Sequence, residues 1–200
     1  MFILGKDKPT GSSVRSDQKL LRPLMEIYKR FTPDEKEFGA FYANYLKNVE
    51  GMTLSEALKA DIDMFENLAN LKGLDIHTSY EEGKWTIAEL MLHCIDTERI
   101  FAGRIIRLLR KDNTPLPGFD QDDFVMNSHS ENHTAKDLVR QWDVGRDFTL
   151  NLFMNAEDSA LEFIGNASGY PISARAIGLI IPGHNLHHYR ILRERYGLDI

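Results

Sequence analysis

Residues 112–133 read DNTPLPGFDQDDFVMNSHSENH, and the reading of this stretch decides how the chain is wired. It separates two strong helical patterns and is itself rich in turn formers. Neighbouring antiparallel helices need only about 2–8 connecting residues. Twenty-two residues reach roughly 70 Å when extended, at about 3.3 Å each. Such a segment can run the full length of a bundle and let the two helices it joins lie parallel. It can equally be an ordinary surface loop.

Upstream, Thr86-Ile87-Ala88-Glu89 has the form of a capping box, in which a hydroxyl and a carboxylate satisfy each other's backbone donors. It opens a long helix with an apolar stripe of Ile87, Leu90, Met91, Cys94, Phe101, Ile105 and Leu109. Downstream, Thr134 caps AKDLVRQWDVGRDFTLNLFM. A third pattern starts at Thr53 or Ser55, carries Leu58, Ile62, Phe65, Leu68 and Leu71, and stops at Gly73. A fourth runs from near Ser173 to Gly197, a glycine placed as a helix-ending residue. Thr32-Pro33-Asp34-Glu35, with Thr as N-cap and Pro at the first position, predicts a further helix through FGAFYANYL towards Gly51. LLRPLMEIYKRF predicts another short one, and His77–Trp85 an extended scrap. The expected fold is all-α: a four-helix bundle with accessory N-terminal helices and the long connection between its second and third long helices.

Length and composition fit one domain plus a small extension: 200 residues, 42% hydrophobic and 27% charged. Residues 1–31 hold seven Lys/Arg against three Asp/Glu and include the loose stretch PTGSSVRS; the remainder holds 17 against 27. The expected division is a basic extension over 1–31 and a bundle domain over 32–200. A net charge of −6 gives no general attraction for phosphate backbones, so no nucleic-acid partner is expected. The single cysteine, Cys94, allows no intramolecular disulfide, and the opening MFILGKDK is too short for a signal-peptide core. No run approaches the roughly 20 apolar residues that span a bilayer. A cytoplasmic location without membrane contact is the expectation.

Seven histidines occur in the chain, and three of them fall within GHNLHH, residues 183–188. At 100° per residue His184 and His188 lie in the middle of the apolar stripe of the last helix, one turn apart, with His187 at its edge. Two buried imidazoles need partners for all their nitrogens. They are either core histidines bonded to carboxylates and backbone, or two ligands of one metal ion. Asn185 replaces the glutamate that a zinc-protease helix requires after its first histidine. Pro182 removes a backbone hydrogen bond just before the pair, so a kink is expected there. His93, on the flank of the helix opened by Thr86, is the best candidate for a third ligand. Glu98 falls near the centre of that helix's stripe, where a carboxylate needs a partner. It either salt-bridges to an arginine or stands near the site as a supporting group or base. Asp96 could orient the other nitrogen of His93. Cys94 points into the stripe and packs. His129 and His133, also four apart, sit in a polar loop and read as solvated.

KWTIAELMLHCIDTERIFAGRIIRLLRKDNTPLPGFDQDDFV, followed by ARAIGLIIPGHNLHHYRILRERY, resembles the DinB-like superfamily, whose YfiT-like members are described as metal-dependent hydrolases. The resemblance spans roughly residues 32–197 and rests on three motifs. They are Trp85-Thr86-x-x-Glu89-x-x-x-His93-x-x-Asp96-Thr97-Glu98-Arg99, the loop PLPGFDQDD, and Gly183-His184-x-x-His187-His188. Pro182 stands where alanine is more usual. The resemblance implies a crossover bundle, a homodimer, and a divalent metal held by His93, His184 and His188. Nickel or zinc is the expected metal, with manganese as an alternative.

Three protein ligands leave coordination positions open, which suits a reactive site. In one chemistry the metal holds a low-molecular-weight thiol of the bacillithiol type as thiolate for attack on an electrophilic small molecule. In a second, it lowers the pKa of water and supplies a hydroxide for hydrolysis. A third reading is a non-catalytic, stress-related binding bundle. No residue stands out as a dedicated general base, which favours the thiol chemistry.

Overall fold

Local capping fixes where the helices begin. The computed structural model describes residues 32–200; the helix expected over LLRPLMEIYKRF and the loose stretch of the extension lie outside the described residues. Thr53, Thr86 and Thr134 each accept from the backbone N–H three residues on, and Glu56, Glu89 and Asp137 reach back to complete the boxes. Ser173 caps the last helix by accepting from Ala176 N–H. The α-helices are α1 (Ala43–Leu46), α2 (Leu54–Ala60), α3 (Met64–Asn70), α4 (Ile87–Leu109), α5 (Gln121–Met126), α6 (Ala135–Met154), α7 (Asp158–Leu161) and α8 (Ala174–Glu194). No helix among the described residues is long and apolar enough to cross a membrane.

Three local expectations need correction. The helix predicted from Thr32 is a chain of short turns. Asp34, not Thr32, is the cap, and only Glu35–Glu37 and Ala40–Val49 wind, mostly as 3-10 turns. Glu37 is drawn into the interior, where Ser173 Oγ donates to it at 2.8 Å and Arg175 forms an ion pair with it. Phe38 then takes an extended conformation (φ −154°, ψ 154°) and ends the turn, and Gly39 (φ −65°, ψ 138°) precedes the next one. The scrap at His77–Trp85 is a series of turns. The strands lie elsewhere, as a hairpin of β1 (Ile164–Ala167) and β2 (Tyr170–Ser173). Its two-residue turn, Ser168-Gly169, has φ of 56° and 84°, the paired positive values that match strand twist in a tight hairpin.

The bundle is formed by α2–α3, α4, α6 and α8, and its side-chain pairings give the direction of each helix. Phe65 stacks on Trp142 and Asp61 binds Arg146, so α2–α3 runs antiparallel to α6. His93 meets His184 and Trp85 meets Tyr196, so α4 and α8 are antiparallel. Ile87 to Ile95 share a core with Leu138 and Trp142, whereas Phe101, Ile105 and Leu108 share one with Leu150 and Phe153; α4 and α6 are therefore parallel. Asp61 meets Asn185, and Leu54 lies under Gly178 at the other end, so α2 and α8 are parallel as well.

The parallel pairing of α4 and α6 makes the 112–133 segment a crossover, as a long connection allows. It is an ordered strap. Leu116 bridges to the hairpin through Asn166 and Ser168 backbone bonds of 2.9 and 3.0 Å, and buried Arg104 donates to the Pro117 carbonyl at 2.8 Å. Asp120 caps α5, whose Val125 is buried.

At mid-height the four helices meet on one ion. The Arg146 guanidinium of α6 is 1% exposed. It donates to Glu98 of α4 at 2.9 and 3.0 Å, to Asp61 at 2.7 and 2.8 Å, and to the Leu58 carbonyl at 3.1 Å. The last two partners lie where α2 stops, so the break between α2 and α3 is the price of placing Asp61 on Arg146. Asn185 of α8 donates to the same Asp61 at 2.8 Å, and Trp142 stacks under the guanidinium at 4.5 Å. Burial opposes the charge on Arg146, but the carboxylates of Asp61 and Glu98 outweigh it and hold the pKa above its ordinary value. Removing one member of such a cluster strands the others in low dielectric, at a cost of about 3–5 kcal/mol. Arg146→Met is expected to lose stability on this scale in urea denaturation; a loss below about 1 kcal/mol would show that the cluster behaves like a surface pair.

Candidate functional site

One turn away from the Arg146 cluster, three imidazoles converge. α4 supplies His93, and α8 supplies His184 and His188 from successive turns of one face. The Nε2 atoms of His93 and His184 are 3.0 Å apart, and those of His184 and His188 are 3.1 Å apart. One ligating nitrogen from each of the three lies within 4.8 Å of the others. All three residues are buried.

The helix that carries the pair continues through Pro182, the position at which a kink is expected. The residue after the proline matters more. A Cβ on Gly183 would stand 2.2 Å from the Tyr45 carbonyl oxygen, so only glycine lets the 43–49 segment lie this close. Asn48 Nδ2 donates to the Gly183 carbonyl at 2.8 Å, and the Tyr45 ring packs edge-on against His184 at 5.2 Å. Trp85 covers His93 at 4.9 Å.

Desolvation lowers all three histidines. His93 falls from 6.5 to about 4, and His184 to about 3 with a further push from His93. Burial, and then His184 and His93, drive His188 down too. The cluster is therefore three neutral imidazoles at neutral pH.

The donor set tests whether a cation fits. The Nε2 of His184 has one in-plane position, which carries either a proton or a lone pair. It cannot satisfy both neighbours at 3.0 and 3.1 Å. Tetrahedral ligation at about 2.0–2.1 Å places imidazole nitrogens about 3.3 Å apart, close to the spacing found here. Three neutral imidazoles suit zinc or nickel better than a hard cation such as magnesium. The set fits a borderline divalent ion.

The other candidates fall on different sides of the site. Glu98 is fully engaged by Arg146. Asp96 accepts from Arg99 at 3.1 Å, at a partly exposed position, and no bond to His93 is formed. Cys94 is buried, and burial, with Asp61 and Glu98 nearby, pushes its thiol well above the ordinary value. It is no nucleophile. His187 packs on Tyr45 at the edge of the cluster. His129 is exposed, and His133 lies near Gln141; neither joins the three.

Several participants escaped the sequence reading. Asn185, Asp61 and Arg146 form a chain of contacts behind His184. A cavity of about 310 Å³ opens beside His188, lined by Tyr80, Lys84, Trp85, Asp122, Ile191 and Tyr196 among others. Trp85 and Asp122 stand in the two longer motifs quoted above and could have been singled out there. Tyr80 and Lys84 lie in turns without a periodic signal.

A three-histidine cluster spanning two antiparallel helices of a crossover four-helix bundle defines the class of this protein. Residues 57–192 match the model of the DinB superfamily, and the chain belongs to that family. Its structure is similar to that of YfiT from Bacillus subtilis, described as a probable metal-dependent hydrolase with an unusual four-helix bundle topology. The TM-score is 0.61 at 15% identity, covering 88% of this chain and 99% of that one. No protein of curated function matches the sequence.

The imidazoles give a pH signature to the metal-free protein. The unfolded chain takes up these protons near pH 6.5, whereas His93 and His184 resist them until about pH 4 and 3. The unfolded state binds more protons in between, so stability is retained above about pH 6.5 and falls as pH drops towards 4. The urea midpoint of metal-free protein is expected to fall more steeply between pH 7 and 5 than that of a variant with all three histidines changed to Asn. Equal slopes would contradict the burial of neutral imidazoles.

Proposed function

We propose that this protein is a metal-dependent enzyme in which His93, His184 and His188 hold one nickel or zinc ion. In this reading it transfers a low-molecular-weight thiol of the bacillithiol type to an electrophilic small molecule. The observation that carries the reading is the convergence of three buried, neutral Nε2 atoms beside a cavity. Held by these three residues, such a cation would have coordination positions left open and would stabilise a thiol as thiolate.

The protein's own groups then have separable tasks. His93 comes from α4 and the other two ligands from α8, so the site exists only when those helices are docked. Trp85 shields the His93 side from water. Tyr80, Tyr196 and Ile191 offer an apolar wall for the body of a small substrate. Cys94 is sealed away, so the nucleophile comes from outside the chain. Glu98 and Asp61 are committed to Arg146 and are not free to take a proton from water, which favours a thiol over hydrolysis.

A second reading has one observation in its favour. Asp122 is an exposed carboxylate on the lining of the same cavity, and a carboxylate there suits a general base for hydrolysis. The two readings part on added thiol.

Tag-free protein is expected to contain close to one nickel or zinc per chain by elemental analysis, and His93→Ala, His184→Ala and His188→Ala are each expected to lose it. With metal present, glutathione or bacillithiol should show saturable binding and thiol-dependent consumption of 1-chloro-2,4-dinitrobenzene. Turnover of a p-nitrophenyl ester without thiol, lost in Asp122→Asn, would select hydrolysis instead. Full metal content in all three alanine variants would overturn the ligand assignment.

A further inference from the structure

We infer that Asn185 is a positioning residue that fixes the tautomer of His184 and so turns its Nε2 lone pair towards the metal. The inference rests on the three-histidine metal site proposed above.

The argument starts from an asymmetry among the imidazoles. His184 Nδ1 lies 3.4 Å from Asn185 Oδ1. The Nδ1 of His188 is buried without a hydrogen-bond partner among the described residues. An imidazole that donates from Nδ1 must present a bare Nε2. A partner on Nδ1 therefore selects the ligating form.

Asn185 can make this selection because its own amide has no freedom to flip. Its Nδ2 donates to Asp61 Oδ2 at 2.8 Å. A carboxylate accepts only, so the amide nitrogen must face Asp61 and the carbonyl oxygen must face His184. Asp61 in turn is clamped by two Arg146 bonds of 2.7 and 2.8 Å. Asn185 is 1% exposed and Asp61 is equally buried, so water does not compete for either. The orientation thus passes from guanidinium to carboxylate to amide to imidazole. The glutamate of a zinc-protease helix would occupy the Asn185 position as a base; here the amide faces away from the cavity, into the bundle centre.

A residue in this role typically changes metal affinity 10–100-fold when removed. The test uses metal-free full-length protein with 15N-labelled histidine. Long-range 1H–15N correlation spectra should show the His184 proton on Nδ1 in the wild type and a shift towards Nε2–H in Asn185→Leu. Zinc affinity, measured by competition with a chromophoric chelator, should weaken 10–100-fold in Asn185→Leu and be lost in His184→Ala. A packing residue alone would lower the melting temperature of Asn185→Leu but leave the proton position and the zinc affinity of the folded protein unchanged.

A wild-type His184 protonated on Nε2 would overturn the inference without any variant needing to fold. So would an Asn185→Leu protein that binds zinc within twofold of wild type. Zinc lost in His184→Ala but retained in Asn185→Leu would remove the role of Asn185 and leave the metal site standing. A wild-type chain that takes up neither zinc nor nickel would remove the metal site and the inference with it.

Discussion

One buried guanidinium organises this protein. Arg146 lies at the level where all four helices of the bundle meet, and it touches or reaches a group on each of them. Two carboxylates face it, out of reach of water. Apolar contacts tolerate small shifts in register. A guanidinium that must satisfy five N–H groups against fixed carboxylates does not. The cluster therefore sets the height of each helix relative to the others, and it interrupts the first of them to do so. The three histidines inherit that height. His93 and His184 face each other with Glu98, five residues further along α4, held by Arg146, and Asn185, one residue further along α8, held by the Asp61 that Arg146 also binds.

The other constraint on the site is steric. Pro182 and Gly183 remove a donor and a side chain at adjacent positions of one helix, a combination unfavourable for helix formation alone. In exchange the backbone of the 43–49 turns comes against α8, Tyr45 covers two imidazoles, and Asn48 binds a helix carbonyl. The segment that fails to become a regular helix is thus the one that roofs the histidine cluster. Its Glu37 end is fixed to Ser173 and Arg175 at the start of α8, so the roof is tied down at the start and at the middle of that helix.

Features that depend on near neighbours were legible in the sequence. Each capping box is a four-residue pattern, and His184 and His188 fall on one face by helical count alone. Glu98 stood out because a charge in an apolar stripe demands a partner. The same test would have exposed two more residues. Leu138, Trp142, Leu150 and Phe153 make a stripe through Arg146, and Leu54, Leu58, Phe65 and Leu68 make one through Asp61. Centring the latter stripe on Ile62 hid the aspartate. Partners 85 residues apart leave no local trace. The direction of the 112–133 segment was open for a related reason, since its length permits either course and the contacts of Arg104 and Leu116 that fix it are distant. The hairpin escaped because its strands are four residues each and contain Gly165 and Pro171.

The wiring of the bundle has a consequence for how the chain reaches its fold. Its packed pairs join α2 to α8, α3 to α6, α4 to α6 and α4 to α8. Among the described residues no packed pair joins two long helices through a short turn; the consecutive pair α4 and α6 needs the whole strap to meet. A chain of this kind has no helical hairpin to form early and build upon. Each contact between long helices requires closure of a large loop, which slows folding relative to an up-and-down bundle of the same size. Partial structures are correspondingly poor in stabilising contacts. The histidine cluster joins residues 91 positions apart, so it exists only in molecules in which the loop between α4 and α8 has closed.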